Sequence, residues 1–255
     1  MTITPGATTL LVASAFGAGV VDAIAGGGGL VTVPALLAAG LPPQLAIATN
    51  KGQSVFGSGA SLYRFARGSM VDRDRARVCF PAGFAGSLGG AALLLLVRPD
   101  VLRPVVLVLL LAVAVFVAAR RGPPRVAARV SPERVRPVAT LIAVVLGAYD
   151  GFFGPGTGTF LIVAYASILG DGLARASGEA KVVNFASNLA GVLVFAWRGV
   201  VVWPVALPMA AAQFAGGLLG AHLAVRRGDV FVRRILLVVV VALVLKLARD
   251  FFLAP

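Results

Sequence analysis

Acidic residues are scarce in this chain, ten in 255, and cysteine and histidine occur once each. The single cysteine, Cys79, excludes an internal disulfide and a thiolate metal cluster, and reads as a small apolar packing residue. The single histidine, His222, has no acidic or cysteine neighbour in sequence, so no metal site is expected. There is no GxxxxGK[ST] loop, no HExxH pair and no serine nucleophile elbow. The string GPGTGT at 154–159 misses the dinucleotide fingerprint, because its third glycine falls one position early. No cofactor is expected, and the chain does not read as an enzyme. Charged residues make up 13% of the chain, against about a quarter in a soluble domain, which is too little polar surface to face water on all sides.

What is there is apolar. Hydrophobic residues are 59% of the chain and the mean hydropathy is +0.95. Apolar runs of membrane length lie at 45–66, 78–97, 101–119, 176–197, 201–223 and 235–253. Two further regions, 7–39 and 138–169, are interrupted by AGGGG (25–29) and GPGTG (154–158), where an α-helix should not continue. Each reads as two helical pieces joined at membrane depth. The 7–25 run has no basic residue before it and reads as a permanent membrane segment, not a cleaved signal.

The net charge of +13 would point to nucleic acid in a soluble protein, but here the arginines cluster between hydrophobic runs. Segments 67–77, 120–136 and 226–234 hold four, six and four arginines and are expected in the cytoplasm. The poorer loops 98–103 and 198–200 are expected outside, which puts both termini outside. The setting is a lipid bilayer, the cell membrane, with no nucleic acid partner.

The chain also says the same thing twice. Asp22 pairs with Asp150 at an offset of 128; Gly40, Ala46, Lys51 and Phe65 pair with Gly170, Ala176, Lys181 and Phe195 at 130. Pro81, Gly89 and Gly90 pair with Pro208, Gly216 and Gly217 at 127. By the loop charges, helices 45–66 and 176–197 cross in opposite directions. The expected fold is therefore an all-α polytopic membrane protein of two inverted repeats. Each repeat has one glycine-broken hairpin and three full transmembrane helices, over 1–119 and 138–255, with an Arg/Pro-rich cytoplasmic linker at 120–137.

Ionisable residues in membrane segments are costly, so they call for a role. Asp22, Asp150, Lys51 and Lys181 qualify, with Glu179 nearer an interface. Asn50, Ser54 and Ser58 recur every fourth residue beside Lys51, and Lys181 is followed by Asn184 and Asn188 with Ser187 alongside. That spacing makes one polar face on each helix, turned from lipid. Helices starting after Gly27, Gly28 and Gly29, and after Gly156 and Gly158, present unpaired N–H groups to an anion, with Thr157 and Thr159 adding hydroxyls. Glycine-broken segments in corresponding positions of two halves mark a carrier's binding site. The carboxylates would either neutralise the lysines at rest or carry a proton. The bland readings are close helix packing for the glycines, as at Gly86–Gly90 and Gly216–Gly220, and structural ion pairs or caps for the aspartates.

Over AGGGGLVTVPALLAAGLPPQLAIATNK (25–51), GAYDGFFGPGTGTFLI (147–162) and ASGEAKVVNFASNLA (176–190), the chain resembles the TauE/SafE family of membrane permeases. The resemblance implies a duplicated membrane protein moving small anions, often sulfur oxyanions or organosulfonates. Together these point to a secondary transporter working by alternating access on a small anion, with a proton or other ion as coupling partner and room for a homo-oligomer. A passive anion channel, or a membrane-embedded enzyme or accessory subunit, is the alternative.

Overall fold

The computed structural model describes residues 5–119, 126 and 130–252, and these are helical almost throughout. Helix α1 (Pro5–Ala25) is followed by α2 (Gly29–Ala38), α3 (Pro43–Arg67), α4 (Arg73–Leu96) and α5 (Pro99–Ala119). After a 3-10 turn at Pro132–Arg134 come α6 (Val135–Phe152), α7 (Thr157–Ile168), α8 (Leu173–Trp197) and α9 (Trp203–Phe252). The linker arginines Arg120, Arg121, Arg125 and Arg129 lie outside the described residues.

Six helical stretches among the described residues are long and apolar enough to cross a membrane: Gly6–Ala25, Arg73–Leu96, Pro99–Phe116, Pro132–Phe152, Leu173–Trp197 and Trp203–Ile235. Helix α3, an apolar run on sequence reading, is long enough but absent from this set. It tolerates the polarity by burying it: Thr49, Asn50, Lys51, Gln53, Ser54, Ser58 and Ser61 are all inside the bundle. Two of the arginine segments are shorter as loops than the sequence implies. Only 68–72 separates α3 from α4, and the expected 226–234 loop is helix on both sides of a single break at Gly228. Its φ of +64° and ψ of −160° let the chain turn at one residue.

The glycine breaks form as expected. Gly26 and Gly27 take φ of +68° and +93° before α2, and Gly154 and Gly156 take +94° and +87° before α7. With 10 and 12 residues, α2 and α7 extend about 15 and 18 Å, roughly half the hydrocarbon thickness. They are half-helices.

Packing shows where they lead. The start of α1 (Leu11, Ala15) shares a cluster with Leu36 of α2 and with Leu41, Ala46, Val205 and Met209. The glycine end of α1 (Ala23, Ile24, Ala25) packs in another cluster with Phe65, Cys79, Ala221 and Ala224. So α1 and α2 form a hairpin that folds back on itself. In α6–α7 the start (Ala139, Ala143) packs with Ala166 and Leu169 in that second cluster, while Phe153 near the tip packs with Leu94, Leu102, Phe195 and Val201.

Glycines set the closest helix crossings. A β-carbon at Gly216 or Gly220 of α9 would fall 2.2 or 2.5 Å from the Phe16 or Val20 carbonyl oxygen of α1. One at Gly86 or Gly90 of α4 would fall 2.3 or 2.0 Å from the Val144 or Ala148 oxygen of α6. These contacts are related by 128 residues on one side (16 to 144, 20 to 148) and 130 on the other (86 to 216, 90 to 220). The sequence pairing of Gly89 and Gly90 with Gly216 and Gly217 is thus corrected. Gly89 faces open space, and the glycine that matters is the one against a carbonyl.

Candidate functional site

The two hairpin tips meet. A β-carbon on Gly26 would stand 2.2 Å from the Gly158 carbonyl carbon and the Thr159 nitrogen, so the loops touch backbone to backbone. Thr159 Oγ1 donates to the Ala25 carbonyl at 3.1 Å and Thr157 Oγ1 to that of Gly154 at 2.7 Å. The threonine hydroxyls expected to face an anion instead stitch the loops.

Around this junction lie two buried ion pairs, and they cross. Lys181 of α8 donates from Nζ to Asp22 Oδ2 of α1 at 2.7 Å, and Lys51 of α3 to Asp150 Oδ1 of α6 at 2.8 Å. Each lysine of a long buried helix is thus held by an aspartate of a glycine-broken hairpin far from it in the chain. Amides and hydroxyls join the pairs into one string. Lys181 Nζ donates to Asn184 Oδ1 at 3.3 Å, Asn184 Nδ2 to Asp150 Oδ2 at 3.4 Å, and Ser187 Oγ to the same oxygen. Lys51 Nζ donates to Asn188 Oδ1 at 3.0 Å, and Asn188 Nδ2 to Ser58 Oγ at 3.3 Å. Asp22 Oδ1 accepts the Gly28 N–H at 3.1 Å.

A cavity of about 20 Å³ sits at the centre, lined by Asp22, Gly27, Gly29, Asn50, Ser54, Asp150, Gly154, Gly156, Gly158, Asn184 and Asn188. That is room for roughly one water. Ten of the residues picked from sequence line it. Gly28, Lys51, Thr157, Thr159 and Lys181 stand behind its wall, so carboxylates, not ammonium groups, face the space. A larger cavity of about 530 Å³, between the α2–α3 turn and α5, carries Arg103 among apolar walls and none of the four ion-paired residues Asp22, Lys51, Asp150 and Lys181.

Glu179 is not part of this string. Its carboxylate accepts the Asp72 N–H at 2.7 Å, 4.0 Å from Arg175, beside the buried Arg75–Asp171 pair. The residue 130 positions earlier, Thr49, accepts the Val202 N–H at 3.1 Å. Both positions cap the chain ahead of a long helix. Asp72 itself caps α4, and its pKa is held below the usual carboxylate value chiefly by the hydrogen bond from the Arg75 N–H.

A family model described as Sulfite exporter TauE/SafE matches residues 11–247. The chain belongs to the TauE/SafE family. A probable membrane transporter protein, ORF9, of Sinorhizobium sp is 36% identical over 94% of this chain and 92% of its own. The probable membrane transporter protein YfcA of Escherichia coli K12 is 35% identical over 91% and 86%, respectively. A probable membrane transporter protein of Haemophilus influenzae is 34% identical over 92% of each. No solved structure matches the chain significantly. This TauE/SafE member is therefore a multi-pass protein of a membrane transporter family.

Sequence reading of this TauE/SafE chain passed over several partners. Thr32 Oγ1 donates to Asn50 Oδ1 at 2.6 Å, Gln53 Nε2 to the same atom at 2.9 Å, and Gln213 lies 3.5 Å from Ser54 Oγ. Gln213 had a signal, as a lone amide in an apolar helix. Thr32 and Gln53 became legible only once α2 and α3 were side by side.

Proposed function

We propose that the protein is a secondary carrier for a small, sulfur-containing anion such as sulfite or an organosulfonate, in the cell membrane with both termini outside. The observation that carries this is the crossed pairing of Asp22 with Lys181 and Lys51 with Asp150 around a small polar cavity. Each pair joins an element of residues 1–119 to one of 138–255, so relative movement of these halves remakes the site. The repeated crossings at offsets of 128 and 130, and the shared cluster of the glycine end of α1 with the start of α6, support reading the halves as inverted repeats joined by the 120–137 linker. Such repeats exchange conformations in alternating access. The small cavity fits an occluded state: an oxyanion of several heavy atoms enters only when the halves separate.

Counterflow in proteoliposomes tests this. Labelled thiosulfate or methanesulfonate should accumulate against unlabelled anion inside, saturably, and Lys51→Ala or Lys181→Ala should abolish it. Flux that is unsaturable and shows no counterflow would make the protein a channel. Absence of flux for every sulfur anion, in a folded sample, would remove the substrate assignment.

A further inference from the structure

The two ion pairs are equivalent by position but not by environment. Asp150 is 2% exposed and receives Lys51, Ser187 and Asn184. Asp22 is 13% exposed and receives only Lys181 and the Gly28 N–H among the described residues. The difference is written in the helices. The positions of α3 matching Ser187 and Asn184 are Gly57 and Ser54, and Ser54 turns to Gln213 instead. Both carboxylates border the cavity, but Asp150 is held by three side-chain donors and Asp22 by one side chain and one backbone N–H.

The formal charges of the string cancel, two lysines against two aspartates, and the aspartates line the space. An anion arriving there would meet carboxylates and leave a net negative charge in a low-dielectric interior, which is prohibitive unless compensated. Resting on the carrier reading above, we infer that Asp22 is the site of a coupled proton: it takes one proton as the anion binds, and hands Lys181 Nζ and the Gly28 N–H to the substrate. The proton lands on Asp22 Oδ2, the Lys181–Asp22 pair becomes a Lys181–anion pair, and the site stays neutral. In effect the ionised Asp22 carboxylate occupies the substrate's seat when the site is empty of anion. Asp150 keeps its charge and keeps Lys51 in place.

Among the described residues, no other titratable group competes for this role at Asp22. Helix α8 brings Lys181, α3 brings Lys51, and α6 brings Asp150 across the cavity. Helices α2 and α7 face it with Gly28 and Gly158, and α9 meets α1 through Gln213, Gly216 and Gly220. The histidine of α9, His222, is turned to Arg64, whose Nε donates to its Nδ1 at 3.2 Å.

The test uses methanesulfonate, which keeps one negative charge throughout, with purified protein from about pH 5 to about pH 9. Wild-type affinity should fall about tenfold per pH unit on the alkaline limb, the mark of one linked proton. Binding in weakly buffered solution should take up about one proton per anion. Asp22→Asn should flatten the pH profile, whereas Asp150→Asn should not. If Asp22→Asn fails to fold, the wild-type proton uptake still decides the matter. Saturable counterflow with pH-independent affinity and no proton uptake would overturn the inference and leave the carrier standing. An affinity set by sodium, or a profile flattened by Asp150→Asn alone, would overturn it equally. No binding of methanesulfonate, thiosulfate or sulfate at any pH takes down both readings.

Discussion

Lys51 and Lys181 occupy matched positions, yet the structure makes them unequal. Lys51 is 1% exposed and its partner Asp150 2%, so removing the ammonium leaves a deeply buried carboxylate without its counter-charge. Lys51→Ala should cost about 3–5 kcal/mol. Lys181→Ala should cost less, since Asp22 is 13% exposed and its charge is better solvated than that of Asp150. Thermal unfolding in detergent checks the order, and the double variant Lys51→Ala/Asp150→Ala should recover stability over Lys51→Ala alone. Charge, helical spacing and duplication made both lysines visible in the sequence. The aspartates were visible too, as groups to neutralise them, but which would hold which was not: Asp22 and Lys181 are 159 residues apart, and nothing local assigns the pairs.

At the scale of helices, α4 offers a register test. Gly90 is pressed on the Ala148 carbonyl and Gly89 faces open space. Gly89→Ala should leave stability unchanged or raise it by up to about 1 kcal/mol through helix propensity. Gly90→Ala should push α4 off α6 and lower the unfolding temperature clearly. The reverse order would restore the sequence-derived pairing at 127. The start of the same helix carries a pH signature. Asp72 has a lowered pKa in the folded state, so its cap stabilises fully above the ordinary carboxylate value of 3.8. That stabilisation is lost as pH falls through the lower folded value. Asp72→Ala should cost about 1 kcal/mol near neutral pH, and the gap from wild type should close in acid. Chemical denaturation at both pH values measures it.

Over the whole molecule, the outer surface is apolar where lipid would lie: Leu107, Val108 and Leu111 of α5, Leu141 and Val145 of α6, and Leu207 of α9 are all exposed. Trp197, almost fully exposed, sits at the α8–α9 turn, where an indole suits the membrane interface. Orientation is testable because Cys79 is buried and should not react. An impermeant maleimide added outside intact cells should label Arg198→Cys and not Arg67→Cys. Labelling of Arg67→Cys alone would invert the topology.

Local physics made the helices, their glycine breaks and the burial of polar stripes readable in advance. Hydropathy sets what can enter lipid, glycine sets where a helix stops, and a charge in a membrane helix must turn inward. These are properties of short stretches of chain. Which aspartate holds which lysine, which carbonyl each packing glycine meets, and why Glu179 caps a helix instead of joining the central string depend on contacts between residues far apart in the chain. Such contacts follow from how the hairpins and long helices interlock: four-residue spacing marks Gly86 and Gly90 as packing glycines, but only α6 laid against them shows that they meet the Val144 and Ala148 carbonyls.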